Sequence, residues 1–178
     1  PEPLAMEMYR ALNGKSMLDA AQWAAKNLPD PDQKVIAQRV LVKLRQLQEL
    51  GVNLKPINIT PDGRRLVGAS GQTVLSRSIK NKVRTGPTSI EITLNHPSNG
   101  DQSGVTPEVL LHELVHGFLH RAIALQGAGK LNNSGIRSLQ ELYDYVAKVK
   151  PEIIKEYGMT NLSEFASEAM SNKDFQKA

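Results

Sequence analysis

Val109-Leu110-Leu111-His112-Glu113-Leu114-Val115-His116-Gly117-Phe118-Leu119 sets two histidines and a glutamate inside an apolar run. On an α-helix each residue advances about 100°, so residues four apart lie within roughly 40° of each other and about 6 Å apart along the axis. His112 and His116 can therefore point at one ion from the same face. Glu113 lies about 100° round from His112, near enough to reach a water on that ion without ligating it. The helix is marked locally as well. Thr106 suits an N-cap, Pro107 the first helical position, and Glu108 complements the positive end of the dipole. A lone buried histidine is usually satisfied by neighbouring carbonyls. Two at this spacing, with Glu113 between them, supply two ligands and a general base for a hydrolytic metal site.

A catalytic zinc takes three protein ligands and keeps one position open. Three of the four histidines fall on this segment, but His120 lies about 12 Å along the helix from His112, too far to share the ion. The metzincin pattern needs a glycine and then a histidine where this chain has Leu119 and Ala122, so that class is excluded. The third ligand is then expected to be a carboxylate on another helix. Within Asn161-Leu162-Ser163-Glu164-Phe165-Ala166-Ser167-Glu168-Ala169-Met170, Glu164 and Glu168 share one helical face, and Phe165 and Ala169 can enter the core. Spacing leaves both acids open as ligands. Glu164 also fits a capping box with Asn161, and Glu168 a solvated surface charge. An E-x-x-x-[DE] pair on a second helix resembles the gluzincin arrangement. That resemblance implies Glu164 as the third ligand of one Zn²⁺, and Glu168 as the acid receiving the outward N–H of a ligating histidine.

The 178 residues suit one domain, or one domain with an appendage, and are enough to bury a core. With 40% hydrophobic and 22% charged residues, the composition is that of a globular protein. No apolar run approaches the ~20 residues of a membrane span, and no basic-then-apolar signal segment opens the chain. The lack of cysteine excludes disulfides and cysteine-ligated zinc, and fits a reducing compartment. Net charge is +4, and the excess gathers in Arg64, Arg65, Arg77, Lys80, Lys82 and Arg84, a stretch without any acid. This is either a nucleic-acid footprint or a solvated basic hairpin. It holds no aromatic residue for base stacking, which favours the hairpin.

Along the chain, the first half reads as helical. Pro3 to Leu12 is stopped by Asn13-Gly14. Ser16 caps a helix from Met17 to Asn27, with Leu18, Ala21, Trp23 and Ala24 as its packing face. Asp30 or Asp32 opens a longer helix to about Leu50, striped by Val35, Ile36, Val40, Leu41, Leu44, Leu47 and Leu50 and ended by Gly51. Val52 to Ile59, Gln72 to Ile79 and Thr88 to Leu94 read as strands, broken by Pro61-Asp62-Gly63, Asn81-Lys82 and Thr85-Gly86-Pro87. Ile90, Ile92 and Leu94 alternate with polar residues, as on a half-buried strand. A loop from Asn95 to Gly104 leads to the histidine helix, and Ser138 to Lys148 forms another helix. The expected fold class is α+β. It combines a small mixed or antiparallel sheet, a backing helix, the H-E-x-x-H helix and a C-terminal helical subdomain. Residues 1–29 are expected as a helical extension and 30–178 as the main domain.

Leu111-His112-Glu113-Leu114-Val115-His116 and Ser163-Glu164-Phe165-Ala166-Ser167-Glu168-Ala169-Met170-Ser171-Asn172 together resemble a known family. This is the zincin-like metallopeptidase domain embedded in large polyvalent proteins of bacteriophages and conjugative elements. The resemblance implies a zincin fold, one zinc ion, and peptide-bond hydrolysis in processing or effector work on a protein or peptide substrate. It places the chain in a bacterial host's cytoplasm or a virion. The chain departs from the wider peptidase pattern in having no evident second His or Tyr motif for the transition state; Tyr143, Tyr145, Tyr157 and His96 are the candidates. The alternative is a metal-stabilised module that binds DNA or a host protein without turnover, on the strength of the basic stretch.

Overall fold

Capping side chains set the first helices in the computed structural model, which describes residues 3–80, 83–127, 134–152 and 161–177; the side chains of 77–80, 83–88, 120–127, 173 and 175 lie outside that description. Helix α1 (Pro3–Leu12) is followed by a turn at Asn13-Gly14, where Gly14 has a left-handed φ of 68°. Ser16 accepts the Asp19 N–H at 3.0 Å and opens α2 (Met17–Asn27). Asp30 accepts the Asp32 N–H at 2.9 Å and opens α3 (Pro31–Glu49), with Pro31 at its first position. The face α3 buries is Gln33, Ala37, Val40 and Leu44. Val35 and Leu50, expected in its stripe, are 45% and 80% exposed. Val35 precedes Ala37 by two residues and so lies about 200° round the helix, while Leu50 is already the C-cap.

The sheet is built on one central strand, β4 (Val83–Leu94). β3 (Gly71–Lys80) pairs with it antiparallel, Gly71 opposite Leu94 and Leu75 opposite Ile90. The short β1 (Asn53–Leu54) and β2 (Asn58–Ile59) pair with it parallel, Leu54 opposite Ile90 and Ile59 opposite Leu94. Because Ile90 and Leu94 pair on both sides, β1 and β2 lie end to end along the edge of β4 away from β3. Pro56, which has no N–H, falls in the gap that divides the expected single strand. There Ile57 turns to the α1–α2 corner, donating to Lys15 O at 2.8 Å and accepting from Gly14 N at 3.1 Å. The expected break at Thr85-Gly86-Pro87 is absent: β4 continues through it. Register shifts opposite it, between Ser76 and Arg77 and between Arg77 and Ile79, absorb the proline. The Asn81-Lys82 turn lies outside the described residues.

The sheet is open and one-sided. Ile90, Ile92 and Leu94 are fully buried on its inner face, where Gly71, Thr73 and Leu75 are their partners. Gln72, Val74 and Ser76 are exposed on the outer face. Mixed sheets with one wet face alternate in this way. Helix α4 (Pro107–Gly127) crosses the inner face, its start capped by Thr106 Oγ1 accepting the Val109 N–H at 3.2 Å. α5 (Ser134–Val149), α6 (Leu162–Ser171) and α7 (Lys173–Lys177) complete seven α-helices among the described residues. The architecture is therefore α+β. Met8, Leu12 and Met17, from before residue 29, belong to the same core cluster as Leu44, Ile90 and Leu110.

Two loops that wall the region beside α4 are joined by one buried side chain. Asn95 Nδ2 donates to Ala69 O at 2.8 Å and Gln102 O at 2.9 Å, and Asn95 Oδ1 accepts the Leu66 N–H at 2.7 Å. Gly104 fits beneath, where a Cβ would lie 2.2 Å from Ser70 O. Asn95→Ala leaves three backbone groups without that partner and should lower stability by about 2–4 kcal/mol, read as a shift in denaturant midpoint at unchanged slope.

Candidate metal centre

Helix α4 is fixed before any polar residue is considered. Leu110, Leu111, Leu114 and Val115 are fully buried, and Gly117 lets the helix approach the sheet, with a Cβ there 3.3 Å from Ile90 Cγ2. This packing turns the opposite side of the helix, with His112 and His116, toward α6. There Asn161 Oδ1 accepts the Glu164 N–H at 2.9 Å and starts α6, so the expected cap exists. The Glu164 side chain does something else. Its Oε2 lies 3.1 Å from His112 Nε2 and 3.1 Å from His116 Nε2, which are themselves 3.0 Å apart.

Three ligand atoms form a nearly equilateral triangle. Corners of a tetrahedron around bonds of ~2.0–2.1 Å are about 3.3 Å apart, so the triangle matches the donor set of a small divalent ion. The tautomers agree. His112 Nδ1 lies 2.9 Å from Glu168 Oε1, an acceptor when ionised, so its hydrogen belongs on Nδ1 and its Nε2 lone pair faces inward. His116 Nδ1 lies 2.9 Å from Ser163 Oγ. Glu164 Oε2 is buried, and among the described residues it faces the two imidazole nitrogens alone. Converging lone pairs of this kind require a positive centre, either a metal ion or a proton retained between them. The residues thus fit a divalent cation, with His112, His116 and Glu164 as its holders. The structure separates the two acids that spacing left open: Glu164 meets the triangle, and Glu168 braces His112 from behind.

The electrostatics express the same convergence. Burial pushes His112 down, yet Glu164 and Glu168 on its two nitrogens, with Glu113 nearby, raise it to about 9. Burial pushes Glu164 up, but the His112 and His116 rings beside it bring it down to about 2. Glu168 is also lowered; His112 and Asn172 outweigh its burial. Glu113 moves the other way. It is raised, chiefly by burial, against the opposing hydrogen bond from Thr73.

That hydrogen bond comes from strand β3. Thr73 Oγ1 lies 2.5 Å from Glu113 Oε2 and 3.0 Å from Glu113 O. Two residues earlier, Gly71 leaves the room the carboxylate needs: a Cβ would sit 2.8 Å from Val109 Cγ1 and 2.9 Å from Glu113 Cγ. Beside these groups a cavity of about 440 Å³ is walled by 68–71, Gln102, Val109, His112, Glu113 and Glu168.

Other expected site residues stand elsewhere. Tyr143 packs edge-on against Phe165 at 5.4 Å, and Tyr145 is 62% exposed. His96 caps the short 3₁₀ turn Pro97–Gln102 and meets the Tyr9 ring at 4.9 Å. Tyr157 and the His120 side chain lie outside the described residues. Arg64 and Arg65 are exposed in the β2–β3 loop, Arg65 hydrogen-bonded to Gln102. Arg77, Lys80 and Arg84 lie on the hairpin, where their side chains are outside the description, as is Lys82 entirely. Thr73, Gly71 and Ser163 were not anticipated from the sequence. Set against known proteins, the chain matches no family model, no curated protein and no solved structure.

A pH test follows from His112. In the metal-free protein its raised pKa adds stability that is fully present below its ordinary 6.5 and lost as pH rises through about 9. A divalent ion taken up at Nε2 would have to displace the proton there. Between pH 7 and 8, titrating zinc into metal-free protein should therefore release about one proton per ion, measured by calorimetry in buffers of different ionisation enthalpy.

Proposed function

We propose that this chain is a zinc metallopeptidase of gluzincin type, with His112, His116 and Glu164 holding one zinc ion and Glu113 as the catalytic base. The observation that carries this reading is the three-atom triangle lying next to a base that does not enter it. The α+β frame, with α4 laid across a one-sided mixed sheet, supports a zincin-like fold. The resemblance of the two motif segments supports a setting in a polyvalent protein of a phage or conjugative element, where the domain acts in processing or on host proteins.

When bound, zinc supplies Lewis acidity and lowers the pKa of a water toward ~7. The chain's own groups do the rest. Thr73 occupies Glu113 Oε2, so Oε1 is the oxygen left to take a proton from the attacking water and pass it to the departing amine. Burial keeps the Glu113 carboxylate poorly solvated and more basic than an exposed one. Glu168 and Ser163 hold the two imidazoles in the orientation that directs both Nε2 atoms inward. An extended peptide suits the place. Among the described residues β3 pairs only with β4, so its other edge offers backbone groups to a substrate strand alongside Gly71 and Thr73.

Glu113→Gln keeps the size of the side chain and removes its basicity. Zinc content should stay at one ion per chain, while cleavage of an unfolded protein such as casein falls by about 10²–10⁴. Equal cleavage by the variant and the parent would remove the role given to Glu113. The same assay on Thr73→Val should show a smaller loss, on the order of tenfold, with zinc content again unchanged.

A further inference from the structure

We propose that Asn172 is a positioning residue of the metal centre, acting through Glu168 on His112. The inference rests on the reading of His112, His116 and Glu164 as metal ligands and is independent of whether peptides are the substrate. Glu168 uses its two oxygens on two different partners. Oε1 faces His112 Nδ1 at 2.9 Å, and Oε2 accepts from Asn172 Nδ2 at 2.7 Å. A glutamate held at one oxygen can still rotate about its side-chain bonds and carry the imidazole with it. Held at both, its carboxylate plane is set, and with it the direction in which His112 Nε2 points.

The amide that does this is itself fixed. Asn172 is the C-cap of α6, its backbone N–H donating to Glu168 O at 2.8 Å. Its Oδ1 accepts the Asp174 N–H at 3.0 Å, at the start of α7. With the amide oxygen committed to α7, the NH₂ group is the end that faces Glu168. The residue type is more specific than capping demands. Serine or aspartate would serve the Asp174 N–H equally well. An amide offers that acceptor and, on a second atom of the same planar group, a donor to a carboxylate one turn back, whereas a serine hydroxyl has one shorter-reaching oxygen for both and an aspartate has no donor. Asn172 thus links the α6–α7 junction to His112 through two consecutive hydrogen bonds.

Two variants separate this role from capping. Asn172→Ser keeps a short neutral acceptor for α7 and gives up the amide donor; Asn172→Ala removes both. Zinc affinity of the full chain is measured by chelator competition, alongside the visible spectrum of the cobalt-loaded protein and the melting temperature of the metal-free form. Both variants should bind zinc about tenfold more weakly than the parent, at the low end for an outer partner of a ligating histidine. The cobalt bands should shift in both, while metal-free Asn172→Ser melts within a few degrees of the parent. If Asn172→Ser binds zinc as tightly as the parent with an unchanged cobalt spectrum, Asn172 is a cap alone and the inference is overturned, whatever Asn172→Ala does. A parent chain that holds no divalent ion would remove the metal reading, and this inference with it.

Discussion

Helix α6 packs against α4, and of the residues it buries all but Phe165 are small: Ser163, Ala166, Ser167 and Ser171. The candidate metal centre depends on that contact. From one side come His112 and His116; from the other come Glu164 as the third converging donor and Ser163 and Glu168 as partners of the outward nitrogens. Burying imidazoles and carboxylates together costs several kcal/mol per ion unless each is paired. Here the pairing is reciprocal between the helices, so neither helix could carry its polar residues alone. On the other side of α4, Leu111, Leu114 and Val115 are buried in the core, and Phe165 is buried on α6, so both helices are anchored by apolar burial.

Second to this contact is the approach of β3 to α4. A strand carrying ordinary side chains could not lie where Gly71 lies, because Val109 and Glu113 occupy the space a Cβ would need. The missing side chain and the Thr73 hydroxyl together bring Glu113 under the control of the sheet. The histidines, by contrast, answer to α6. Glu113 and the two histidines, adjacent in sequence, are thus oriented by different parts of the fold.

Features set by local spacing were legible in the sequence. The Ser16 and Thr106 caps, the limits of α2, the alternation of Ile90, Ile92 and Leu94, and the shared face of His112 and His116 all follow from residues within a few positions of one another. Glu164 and Glu168 also share a face, and for that reason spacing could not rank them; which acid meets the histidines depends on the height at which α6 crosses α4. Thr73 acts across forty positions and Ser163 across forty-seven. A serine or threonine carries no mark in sequence of a partner that distant. The turn signal at Thr85-Gly86-Pro87 misled for the opposite reason. It was local, and the long pairing of β4 with β3 overrode it by accepting bulges.

Those bulges divide the hairpin into two regimes of tolerance to change in length. From Gly71 to Ser76 the ladder is unbroken, and a one-residue insertion there would exchange its faces, setting Gln72 and Val74 against the helix in place of Gly71 and Thr73. Beyond Ser76 the register already slips twice, so added or deleted residues toward the far end can be taken up without reaching Glu113. Evolution can therefore lengthen, shorten or recharge the distal arm of this hairpin freely, while its proximal half is held to a fixed count.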